Sequence, residues 1–137
     1  MYKINVIGGI AIMKRFASRI CTSAVFGLAL CASLPALAGG AGNYSVKGSN
    51  GEPDTEYSGT LVIVQTSKDT FKLSWNIAGD KYTGYAVGDA RIMAASFTSD
   101  GTSGTALLVE DDAGGYKSIW AFNGEKRMGY EMIKPKP

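Results

Sequence analysis

From residue 44 onward the chain repeatedly alternates apolar and polar positions. Phe71, Leu73, Trp75 and Ile77 are separated by Lys72, Ser74 and Asn76. A period of two puts the first set on one face of a strand and the second on the other, so this run reads as a half-buried strand. Runs of aromatic and branched residues over 44–48, 57–66, 81–87, 90–97, 105–110, 116–122 and 127–133 complete a predicted set of eight strands. The punctuation between them is turn chemistry: Ser49 to Asp54, Ser67-Lys68-Asp69, Ala78-Gly79-Asp80, Gly88-Asp89, Asp111 to Gly115 and Asn123 to Lys126.

Such short links force consecutive strands to run antiparallel as neighbours, which makes a meander the natural topology. No segment after residue 38 carries a 3.6-residue apolar period long enough for a helix. The predicted fold is therefore all-β, a small eight-stranded antiparallel meander barrel whose closure removes exposed edges. A two-sheet β-sandwich is the alternative, because strand periodicity does not distinguish a closed sheet from two packed ones. Gly59, Gly84 and Gly129 fall inside predicted strands, next to or within two positions of Tyr57, Tyr82, Tyr85 and Tyr130. Glycines so placed let a strand coil sharply or let a neighbouring ring lie across bare backbone.

The first 38 residues follow a different pattern. Lys14, Arg15 and Arg19 precede an uncharged apolar run over 20–34, and Ala36-Leu37-Ala38 forms a small-x-small signal ahead of Gly39. That is the organisation of a secretory signal peptide with cleavage after Ala38, leaving residues 39–137 as a single domain. Met13-Lys14-Arg15 makes a more usual start than Met1, and Leu30 before Cys31 is too large for a lipoprotein signal. The implied localisation is secreted or periplasmic.

Export changes the composition. The signal would carry away both cysteines and four basic residues, and the formal charge would pass from +2 to −2, ten basic against twelve acidic residues. A mildly acidic domain without a Lys/Arg cluster has no field to gather phosphates, so nucleic acid is not an expected partner. No stretch of residues 39–137 approaches the roughly 18 apolar residues of a spanning helix.

Candidate chemistry is correspondingly narrow. The chain has no histidine and residues 39–137 no cysteine, which excludes Ser-His-Asp and Cys-His nucleophilic systems and zinc sites built on imidazole or thiolate. Glu110-Asp111-Asp112 lacks the glycine-containing spacing of a calcium loop and runs into Ala113-Gly114-Gly115, so it reads as a hairpin turn. Asp80, Asp89, Asp100 and Glu125 all fall in predicted turns, with no spacing that suggests paired acids across a cleft. No metal or cofactor and no enzymatic activity is expected. The aromatic residues are the remaining candidates. Trp75, Tyr82, Tyr85, Tyr116 and Trp120 are the proposed ligand contacts, with Phe71, Phe97, Phe122 and Tyr130 completing an aromatic-rich sheet; for Phe71, Trp75 and Trp120 plain core packing is the first reading and a binding role the second, because the side chains of a small barrel can fill its interior.

The segments at 44–48, 57–63, 70–84 and 120–133 resemble a family of small exported bacterial β-proteins, members of which are often catalogued as fibronectin-binding or left uncharacterised. The shared motifs are aromatic, small residue and glycine, and the likeness implies fold and export. By architecture alone the meander is also similar to that of avidin and the lipocalins. The expected function is an exported, non-enzymatic binding protein contacting a protein, a cell-envelope component or extracellular matrix. The alternatives are a lipocalin- or avidin-like carrier of a small apolar ligand, or a periplasmic inhibitor of a host hydrolase such as lysozyme. A cavity larger than about 300 Å³ lined by Trp75, Trp120 and Phe71 would mark the carrier; a solid interior would remove it.

Overall fold

The computed structural model describes residues 39–137; the signal-peptide reading, over residues 1–38, lies outside them. Eight strands follow one another: β1 (Gly42–Ser49), β2 (Glu56–Ser67), β3 (Thr70–Ile77), β4 (Asp80–Gly88), β5 (Ile92–Ser99), β6 (Thr102–Glu110), β7 (Tyr116–Phe122) and β8 (Gly129–Pro135). Each pairs antiparallel with the next, and β8 pairs with β1, so the sheet is a closed meander barrel rather than a sandwich. No helix occurs among the described residues.

The barrel's stagger can be followed through directly paired residues. From Glu56 the path runs through Ser49, Tyr130, Ile119, Leu107, Ala94, Val87 and Thr70, and re-enters β2 at Ser67. That is eleven residues along the strand, one of them the extra residue of a bulge between Gln65 and Ser67. A stagger of this size requires strands tilted by roughly 40° to the axis, and an eight-stranded barrel of that kind has room inside for side chains or one small ligand.

Two hairpins are set by two-residue turns in which both central residues have positive φ: Ala78-Gly79 (52° and 97°) and Asp100-Gly101 (45° and 80°). That backbone matches the right-handed twist of the flanking strands. The second turn lets β6 begin at Thr102, three residues before the sequence pattern predicts. β5 instead begins at Ile92, two residues late, because the Asp89 carboxylate accepts from the Arg91 and Ile92 amides at 2.8 and 3.1 Å and holds 89–91 as a turn. β8 likewise starts at Gly129 rather than Arg127, whose guanidinium pairs with Glu52 at the rim.

The two ends of the barrel differ. Around one end Val46, Leu61, Ile63, Phe71, Leu73, Met93, Leu108, Tyr116 and Ile133 are essentially fully buried, each worth about 1.5–3 kcal/mol of burial. The residues preceding β1 cover this end. The Gly39 amide donates to Glu110 Oε1 at 2.6 Å, the Tyr44 hydroxyl to the Gly40 carbonyl at 2.8 Å, and the Tyr116 hydroxyl to the Ala90 carbonyl at 2.7 Å. At the other end, ringed by the loops at 50–55, 78–79, 100–101 and 123–128, the barrel is open.

Candidate functional site

The open end is hollow because of what its inward positions carry. Gly48, Gly84, Gly104 and Gly129 all point inward, and a side chain on any of them would meet a ring: Tyr57 at Gly48, Trp75 at Gly84, Phe97 at Gly104 and Trp120 at Gly129. Three of these pairs are directly opposite across strands. Each ring covers its glycine's backbone instead of reaching to the barrel axis. The result is a cavity of about 240 Å³ open to solvent at the mouth.

Its walls are aromatic. Tyr57, Trp75, Tyr82, Phe97, Trp120 and Phe122 all line it, and they contact one another edge to face around Phe97, whose centroid lies 5.7–6.3 Å from those of Trp75, Tyr82, Trp120 and Phe122. One ionisable group reaches the cavity from the wall of β8. Glu131 is 7% exposed, and its Oε1 accepts the Tyr57 hydroxyl at 3.1 Å. The Tyr57 oxygen in turn accepts the Trp120 indole N–H at 2.8 Å. Indole nitrogen only donates, so the Trp120–Tyr57 bond has one direction and leaves the Tyr57 O–H free to donate to the Glu131 carboxylate. Opposite Glu131 across the strands sits Ser118, buried, its Oγ without a protein partner.

Burial pushes the Glu131 carboxyl up to about 7, against partial relief from hydrogen bonds to the Tyr57 hydroxyl and the Trp75 indole. The Tyr57 hydroxyl is raised far out of the physiological range by burial and by the neighbouring Glu131 charge, so it stays protonated and remains a donor. Tyr82 is raised by burial and then by Asp80 and Asp100 nearby. The lining contains two carboxylates, Glu131 and Asp80, and no lysine or arginine.

The five proposed ligand contacts separate into three places. Trp75, Tyr82 and Trp120 converge on the cavity. Tyr85 lies on the outer surface, 62% exposed. Tyr116 is wholly buried at the closed end, packed edge-on against Tyr44 with centroids 5.7 Å apart, and is accessible to nothing. Phe71 belongs to that closed half too, so the cavity is lined by two of the three residues named for a carrier and is somewhat smaller than that criterion. Tyr57 and Glu131 were missed. The signal for Glu131 was present in the spacing Gly129, Glu131, Ile133, which puts an acid on the inward register of the last strand.

Other acids are engaged locally. Asp111 Oδ1 accepts the Ala113 and Gly115 amides, both at 2.9 Å, closing its own hairpin. Among the described residues no three Asp or Glu side chains gather into a group that could hold a metal ion. No family model and no curated protein matches this chain.

Proposed function

We propose that this chain is an exported, non-enzymatic binding protein that takes a small ring-bearing molecule, or one such group of a larger partner, into the open end of its barrel. The observation that carries the reading is the solvent-open cavity of about 240 Å³, walled by rings and holding one buried acid. Ligand pockets are typically apolar with a few placed polar groups and span about 300–1,000 Å³, so this one suits a single- or double-ring fragment. The resemblance to exported β-proteins supports export, and the absence of histidine and of cysteine after residue 38 supports binding without turnover.

We rank a small occupant of the cavity ahead of the macromolecular partner expected from the sequence. Its remaining support is an outer surface on which Val87, Ile92, Leu107, Val109, Ile119, Tyr130 and Met132 are exposed. Ligand-observed NMR against aromatic fragments tests the pocket, with Ala106→Phe as the comparison, since Ala106 lines the cavity. Fragments that bind the wild type should be lost when the variant's ring occupies the space. Fragments that bind both equally would place binding elsewhere and refute the proposal.

A further inference from the structure

We infer that the occupant of this cavity is an organic cation, an aromatic amidinium or primary ammonium whose positive group pairs with the Glu131 carboxylate while its ring packs among the aromatic walls. This rests on the pocket reading above and gives that pocket its ligand class.

Three observations converge on it. The first is the direction of the hydrogen bonds. Trp120 Nε1–H donates to Tyr57, and Tyr57 donates to Glu131 Oε1 at 3.1 Å, so the wall presents donors toward the acid. These donors favour the carboxylate form and partly offset the burial that raises the acid. The second is the missing counter-charge. Facing Glu131 are Tyr57 from β2, Trp75 from β3, Asp80 and Tyr82 from β4, Phe97 from β5, Ala106 from β6 and Trp120 from β7, and its partner on β1 is the side-chain-free Gly48. None of these carries positive charge, and Asp80 adds a second negative one at the mouth; Lys47 on β1 and Lys117 on β7 border an outer cavity that Glu131 also lines, but both stand on outward strand positions and neither forms a salt bridge with it. A buried carboxylate without a partner is costly, and the protein supplies none, so the position for a cation is left to whatever enters. The third is the wall itself: the faces and edges of Trp75, Trp120, Phe97 and Tyr82 surround the same space, and ring faces attract cations most strongly where water is excluded.

The opposite arrangement, a protonated Glu131 donating to a neutral ligand's carbonyl, predicts the reverse dependence on pH. With the acid titrating near 7, its ionised fraction rises on the order of 50–100-fold between pH 5 and pH 8, and the affinity of a ligand that requires the carboxylate rises by about the same factor. Tyr57 stays protonated across this window and contributes no titration of its own.

Benzamidinium and benzamide are the probes: nearly the same shape, one permanently charged over this range and one neutral. Binding to the protein spanning residues 39–137 is measured by calorimetry and by Trp fluorescence at pH 5, 6, 7 and 8, with Glu131→Gln alongside. The expected result is benzamidinium binding about tenfold or more tighter than benzamide at pH 8, weakening steeply toward pH 5, with proton release near pH 6 and the preference abolished in Glu131→Gln. Equal binding of the two probes, or affinity that falls as pH rises, overturns the cation while leaving the pocket standing. Binding of neither overturns both. Should Glu131→Gln not fold, the wild-type pH profile and the two-probe ratio decide the matter alone.

Discussion

Glu131 makes the stability of this barrel depend on pH in a direction that can be worked out in advance. Its carboxyl titrates near 7 in the folded protein and near 4.5 when unfolded. The folded state therefore binds the proton more tightly, and the acid's stabilising contribution is complete below pH 4.5, declines as pH rises, and is gone above about pH 7. A difference of this size corresponds to about 3 kcal/mol, or a shift in Tm of roughly 10 °C or more for a domain this small. Glu131→Gln keeps the shape and the acceptor for Tyr57 but cannot ionise. Urea unfolding followed by Trp fluorescence from pH 4 to pH 8 should find wild type and variant similarly stable at pH 4, and the variant ahead by about 3 kcal/mol at pH 8. Taking the difference between the two removes titrations they share. Asp89 is one of these, its carboxyl held low by the Arg91 and Ile92 amides, and it acts in the opposite sense as pH falls. A wild-type-minus-variant difference that stays flat from pH 4 to pH 8 would refute the argument that Glu131 is held in a desolvated site.

Four further outcomes follow from the packing. Gly129→Ala drives a methyl group into the Trp120 indole and should lower the urea midpoint by the equivalent of about 1–3 kcal/mol, with a changed near-ultraviolet circular dichroism as the ring moves. Ala78→Asn places a residue tolerant of positive φ at 52° in the β3–β4 turn, and thermal melts should show stabilisation by a few tenths to about 1 kcal/mol. Tyr116→Phe removes the donor to Ala90 and should cost about 1 kcal/mol, whereas Tyr85→Ala on the outer face should stay within about 0.5 kcal/mol and leave fragment binding unchanged. A protein produced to start at Gly39 brings an α-ammonium to the position whose nitrogen lies 2.6 Å from Glu110 Oε1. It should melt higher than one extended by residues before Gly39, and Glu110→Gln should erase that difference.

Strand number, order and most inward positions were legible in the chain because they are local properties. A two-residue apolar period and turn residues such as Ala78-Gly79 act over a few residues, and only neighbouring strands had to find each other. Even the inward placing of Glu131, between Gly129 and Ile133, follows from parity. The strand ends that moved, at Ile92, Thr102 and Gly129, moved where a side chain or a turn competes for backbone amides.

What tertiary structure alone decided is which inward residues fill the interior and which leave it open. Closure of β8 onto β1, with its particular stagger, brings Tyr57, Trp75, Phe97 and Trp120 to one level of the barrel and sets each over a glycine, so their bulk lines the wall and the axis stays empty. The same closure sends Tyr116 and Phe71 to the sealed end, where no partner reaches them. Aromatic residues at equivalent parity thus become either core or binding surface. The choice depends on distance along the barrel axis and on residues far apart in the chain, which no local pattern encodes.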